Sequence, residues 1–130
     1  MVEYRDCECG GILFLDEREG VCRCNSCDTE FLLPDNVLRH REICNELNSL
    51  YERKNRDYGD SFHKTYLEEG MAMARIRLTD KLERFKKLTR EGGQEVKDES
   101  IRDTLIDMAN YAIMTAMEMD REAEQNVCGE

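Results

Sequence analysis

Asp103, Asp107 and Asn110 form a polar seam through an otherwise apolar stretch near the C-terminus, DESIRDTLIDMANYAIMTAMEM, residues 98–119. Their spacing puts them on one stripe of a helix. Carboxylates among apolar neighbours are costly unless a cation, a base or a substrate compensates them. Glu99 lies one turn before Asp103, and the preceding helical stretch offers Asp80 and Glu83 with Lys81 and Arg84 interleaved. If the two helices pack, carboxylates from both can converge on Mg²⁺, a hard cation that takes oxygen ligands. Mg²⁺ would in turn hold a di- or triphosphate, with Lys and Arg neutralising the remaining charge. A metal-activated water would attack, and a spare carboxylate would act as general base. Glu83 with Lys86 or Lys87, by contrast, is expected to be a solvated pair on the helix surface.

The second chemical constellation is at the other end, where five of the seven cysteines fall within the first 27 residues. Cys7-Glu-Cys9-Gly-Gly is one knuckle and Cys24-Asn-Ser-Cys27 the other. Between them, residues 11–16 read as a strand, Glu17 to Gly20 as a turn and Val21 to Arg23 as a returning strand. A hairpin that brings two knuckles together can present four thiolates to Zn²⁺. The expected ligands are Cys7, Cys9, Cys24 and Cys27, with Cys22 or Asp6 in place of Cys7 as the alternative set. Four thiolates close the coordination sphere, so the zinc is expected to be structural. It would stabilise a segment too short to bury an adequate core. This stretch resembles a zinc ribbon, although in that pattern a cysteine stands where this chain has Asp6.

The elements that must position these groups follow from composition. At 130 residues with a formal charge of -10, the chain suits one modest domain plus a small appendage. That charge disfavours non-specific binding to a nucleic-acid backbone by the chain as a whole. Local basic clusters remain at residues 39–56 and 75–90, and leave nucleic acid open as a partner. No apolar run approaches ~18 residues, so no membrane span is expected. The N-terminus lacks a charged-then-apolar leader. A cytoplasmic protein is expected, in which clustered, odd-numbered cysteines favour metal over disulfides.

Pro34 separates a cysteine- and glycine-bearing segment, residues 1–34, from a helix-rich one, residues 35–130. Asp35 is a good N-cap for a first helix running to about Arg56, with Cys44 on its apolar stripe and therefore expected in the core. Residues 57–61 read as a loop. A second helix is expected from about Phe62 to Thr89, with Gly70 marking a kink or a close helix contact. The third runs from about Asp98 to Asn126, and its wide apolarity suggests packing on several sides, including by a second subunit. His40 and His63 read as ordinary surface histidines, and Cys128 as a residue of a polar tail.

Three blocks carry a resemblance: Lys54-Asn-Arg-Asp-Tyr-Gly-Asp-Ser-Phe, then Arg77-Leu-Thr-Asp-Lys-Leu-Glu-Arg-Phe, then Asp98 through Ile113 with its DTL-x-D-x-x-NYA pattern. Over about residues 45–119 the chain resembles the nucleotide modification associated domain, type 1. That phage-borne family is related to the MazG-type all-α nucleoside triphosphate pyrophosphohydrolases. The resemblance implies a mainly α, MazG-like helical bundle completed by dimerisation, with the β zinc ribbon in front. It places Asp80 and Glu83 in the region of the first metal motif, and Asp103 at the Asp of the second, with Glu99 one position from its Glu partner. It sets Lys54, Asp57, Tyr58 and Gly59 near a nucleotide, and Lys81 and Arg84 near its phosphates.

The expected activity is Mg²⁺-dependent nucleotide binding or pyrophosphohydrolysis in bacterial or phage nucleotide metabolism. Asp80, Glu83, Asp103 and Asp107 would be catalytic, Glu99 would be a further magnesium ligand, and Asn110 would lie beside the nucleotide. The alternative is a non-enzymatic adaptor whose ribbon docks a protein or nucleic acid and whose helices dimerise.

Overall fold

The computed structural model describes residues 1–90 and 98–128, with side chains for 1–90 and 101–127. The chain divides into two compact units, Met1–Glu46 and Leu47–Glu130.

The first unit opens with an antiparallel sheet of four strands in sequence order, β1 (Val2–Asp6), β2 (Ile12–Asp16), β3 (Val21–Cys24) and β4 (Glu30–Leu32). The hairpin expected between residues 11 and 23 is β2–β3. The flanking strands β1 and β4 extend it, and neither had a period-2 pattern long enough to be recognised beforehand. Leu15 pairs with Cys22 and Leu13 with Cys24 across the hairpin. Strand alternation therefore turns Leu13 and Leu15 inward together. Leu15 and Cys22 are wholly buried and form the core with Leu33, backed by Val2, Tyr4, Phe31 and Leu38. Cys22 is thus a core residue.

The β2–β3 turn is held by Asp16, whose Oδ1 accepts the Arg18 and Glu19 amides at 3.0 and 3.3 Å. Gly20 closes it at φ +72, with Leu38 Cδ1 only 2.8 Å from where a Cβ would stand. That turn requires glycine on both conformational and steric grounds.

Helix α1 (Asp35–Tyr58) follows Pro34, and the division between the units falls inside it. Its first turns stay with the sheet through Leu38 and an Arg41–Glu17 pair at 3.5 Å. Cys44, expected in the core, is instead exposed, its Sγ 3.6 Å from His40 Nδ1. The apolar stripe that suggested burial is too weak over the first half of α1 to define an inner face: Val37 and Ile43 are exposed as well.

The second unit comprises the end of α1, then α2 (Ser61–Glu69), α3 (Met71–Thr89) and α4 (Asp98–Cys128). Gly59 and Asp60 take successive left-handed conformations between α1 and α2. The long helix expected from Phe62 to Thr89 is two helices. Gly70, at φ 69 and ψ -156, ends α2 and begins α3, a geometry that interrupts the helix outright. Tyr66, Met73 and Ala74 are buried together, with Phe62 packed on them. Helix α4 packs most extensively on α3. Its buried residues include the polar Thr104, Asn110, Thr115 and Glu118 as well as Ile106. No described helix is long and apolar enough to cross a membrane.

Candidate functional site

Two places in the molecule gather chemistry, one in each unit. In the first, the knuckles at the ends of the β2–β3 hairpin bring the Sγ atoms of Cys7, Cys9, Cys24 and Cys27 within 4.8 Å of one another. Cys7 and Cys27 are 3.8 Å apart, and Cys9 and Cys24 3.6 Å. A tetrahedral zinc with bonds of about 2.3 Å sets its sulfurs about 3.8 Å apart, so these separations match edges of such a site. Backbone amides aim at the sulfurs. Gly11 donates to Cys9 at 3.3 Å, Ser26 to Cys24 at 3.3 Å and Thr29 to Cys27 at 3.4 Å. These four cysteines could hold a metal ion such as zinc. Asp6 belongs to β1, and Cys22 lies in the sheet core.

Proton affinities within the cluster are divided. The Gly11 amide lowers the Cys9 thiol, but the sulfurs of Cys27, Cys24 and Cys7, together with desolvation, push it up to about 12. Cys27 is lowered to about 6, first by the Thr29 hydroxyl, 3.1 Å away, and then by the Thr29 amide. Metal binding replaces these protons, since thiolates are the ligands.

In the second unit a cleft of about 270 Å³ opens between the end of α1, the start of α2 and α4. Aromatic residues wall it. Tyr51 and Tyr58 come from α1, Phe62 from α2 and Tyr111 from α4. Phe62 stacks on Tyr111 with centroids 6.0 Å apart and on Tyr66 at 6.5 Å. Lys54, Asp60, Asp107 and Asn110 are among its polar residues, with Asn55 and Ser61. Asp107 takes two ammoniums, Lys54 Nζ on Oδ1 at 3.3 Å and Lys81 Nζ on Oδ2 at 3.0 Å. Asn110 is buried and donates from Nδ2 to the Leu47 carbonyl at 3.3 Å, which ties α4 to α1. Apolar walls with a few convergent polar groups are the usual make-up of a small-molecule site.

Of the residues singled out for a nucleotide, Lys54, Tyr58 and Asn110 line this cleft, and Lys81 reaches it through Asp107. Asp57 is exposed beside it, and Arg84 turns its Nε to the buried Thr104 hydroxyl at 3.2 Å. Of the residues expected to hold magnesium, Asp80, Glu83 and Asp103 are exposed. Glu83 pairs with Lys86 at 3.4 Å, the solvated contact its spacing suggested. The side chain of Glu99 lies outside the described residues. Among the described residues the four cysteines are the group close enough to share an ion, and the carboxylates do not gather. The described carboxylates thus offer no ready group of oxygens around one point, as Mg²⁺ requires.

Sequence reasoning missed Tyr51, Asp60, Phe62 and Tyr111. Tyr111 carried a signal, standing four residues after Asp107 and hence one turn along the same stripe. It also missed a buried carboxylate. Glu118 Oε1 lies 2.7 Å from His63 Nδ1 and 2.8 Å from Arg121 Nη1, so His63 is a partner in a buried cluster, not a surface histidine. The Arg121 guanidinium compensates a charge that burial would otherwise make expensive, and His63 adds a hydrogen-bond partner. Nearby, burial raises the Tyr66 hydroxyl, helped by its hydrogen bond to Glu122.

The sequence pattern of nucleotide modification associated domain 1 matches residues 54–119, half of the chain. The chain belongs to the nucleotide modification associated domain 1 family. The matched segment of the nucleotide modification associated domain runs from Lys54 to Met119, and so takes in both lysines on Asp107 and most of the cleft wall. The cysteine cluster precedes it. No curated protein and no solved structure matches the chain.

Proposed function

We propose that the second unit is a nucleotide-binding domain, with the base among the aromatic side chains of the cleft and the phosphate side toward Lys54. The observation that carries this reading is a single one: an aromatic-walled cleft with the Lys54 ammonium and the Asp107 carboxylate together on its wall. Bases stack well on aromatic faces, each such contact being worth roughly 1–3 kcal/mol. An ammonium held on a helix is a point charge suited to a phosphate oxygen. Lys81 fixes Asp107 from behind, so Asp107 is oriented before any ligand arrives. The family's association with nucleotide modification supports the same reading. Binding in this cleft asks nothing of Asp80, Glu83 or Asp103, which are exposed.

Cys7, Cys9, Cys24 and Cys27 would hold a structural zinc, cross-linking the hairpin whose own core consists of a few side chains. That unit contributes no residue to the cleft. A second reading follows, in which the zinc unit docks a protein or nucleic-acid partner for the nucleotide-binding unit, and a second copy completes the helical bundle.

The test is calorimetry and thermal shift of the full-length protein against a panel of nucleosides and nucleotides. Stabilisation by at least one of them, abolished by Tyr111→Ala and retained in Asp80→Asn, is the expected result. Absence of binding across the whole panel would overturn the reading.

A further inference from the structure

The charges around the cleft restrict the kind of nucleotide that can enter it, and this step rests on the nucleotide reading above. Lys54 is the ammonium on the cleft wall among the described residues, and its side chain is 54% exposed, so it stands at the rim. Lys81 is matched by Asp107, whose second oxygen also meets Lys54. Another carboxylate, Asp60, lies on the same wall. Asp60 sits at the N-cap position of α2, where an aspartate ordinarily accepts an amide of the first turn. Here it is held at φ 59, a conformation unfavourable for a residue with a Cβ, and its side chain makes no capping bond. No capping bond holds its carboxylate, and the residue lines the cleft.

The two lysines and the two aspartates balance. A triphosphate brings several negative charges and depends on surrounding cations, Mg²⁺ foremost, to neutralise them. Among the described residues the cleft offers one rim ammonium, and the carboxylates do not gather into a receptor for Mg²⁺. A single phosphate matches Lys54, while Asp60 in the wall suits a hydroxyl or amino donor of the nucleoside.

We infer that the cleft selects nucleoside monophosphates over the corresponding triphosphates, with Lys54 on the phosphate and Asp60 reading a donor of the sugar or base. The experiment is calorimetric titration of the full-length, metal-loaded protein with a nucleoside, its monophosphate and its triphosphate, each with and without added Mg²⁺. The monophosphate is expected to bind about fivefold tighter than the nucleoside, the scale of one exposed ion pair, and tighter than the triphosphate in either condition. Lys54→Met should bring the monophosphate to the level of the nucleoside with an unchanged circular dichroism spectrum. Asp60→Asn, which leaves the phosphate contact intact, should weaken nucleoside and monophosphate alike. A triphosphate that binds as tightly as the monophosphate or tighter, or a nucleoside that binds as tightly as its monophosphate, would overturn the selection while leaving nucleotide binding standing. If no ligand of any class binds, the underlying reading fails instead.

Discussion

Lys81 on α3 and Asp107 on α4 hold one another at 3.0 Å, each with about a quarter of its side chain exposed. The pair fastens the two helices that pack most extensively and aims the other carboxylate oxygen at Lys54. Asp107→Asn would leave two ammoniums facing a neutral amide. The expected cost is about 1 kcal/mol, roughly 4–8 °C in Tm for a unit of this size, measured by thermal unfolding. An unchanged Tm would show that the pair does not tie α3 to α4.

Metal analysis of the purified protein should find zinc in equal amount to the chain. Cys9→Ser and Cys24→Ser should each lose it. Stripping the metal with a chelator should unfold the sheet unit while the helical signal persists, because a core as small as Leu15, Cys22 and Leu33 is insufficient alone. Far-ultraviolet circular dichroism before and after chelation distinguishes the outcomes, and a metal-free protein with a fully folded sheet would refute the structural role.

The same cluster predicts an order of thiol reactivity at moderate pH, read while a chelator withdraws the metal and before the sheet unit unfolds. Cys27, lowered to about 6 by the Thr29 hydroxyl and amide, is a thiolate at pH 7. Cys9, pushed up to about 12, is a thiol there. Since the thiolate is the nucleophile, alkylation at pH 7 should label Cys27 before Cys9. The linkage signs differ. A lowered Cys27 favours the folded cluster above the ordinary thiol range, and that contribution is lost as pH falls through about 6. A raised Cys9 favours it below the ordinary range, and its contribution is lost as pH rises through about 12. Peptide mapping by mass spectrometry after timed alkylation reads the order directly, and Thr29→Val, which removes the hydroxyl and keeps the amide, should weaken the preference for Cys27.

Arg121→Met should destabilise the helical unit by about 2–3 kcal/mol, because it leaves the buried Glu118 carboxylate with His63 as its remaining basic partner. Replacing Glu118 by Gln at the same time should recover part of the loss, since a neutral amide needs no counter-charge. Urea denaturation of the single and double variants measures the coupling.

Some features were legible before any coordinates. The two knuckle spacings pointed to Cys7, Cys9, Cys24 and Cys27 as one set, and hairpin register is enough to bring such knuckles together. The helical body was legible from its 3.6-residue period, and the turn of the hairpin at Glu17 to Gly20 from its glycine. Helix α4 and the polar seam of Asp107 and Asn110 were also visible, because residues three and four apart necessarily share a stripe.

Sequence spacing places a residue on its own helix but says nothing of what crosses from the next one. Tertiary packing alone gave Asp107 two lysine partners while leaving Asp103, one turn earlier on α4, exposed. It also divided the expected long helix at Gly70, buried Glu118 beneath His63 and Arg121, and closed Tyr51, Phe62 and Tyr111 into one aromatic wall. The amino-acid order determined the cysteine set, the strands of its hairpin and the helical class of the remainder, since these depend on local periodicity and short loops. The cleft and its charge balance depend on the rotation and crossing of α1, α2 and α4. These are set by side-chain packing that includes segments distant in sequence, as in the Lys54–Asp107 pair, 53 residues apart.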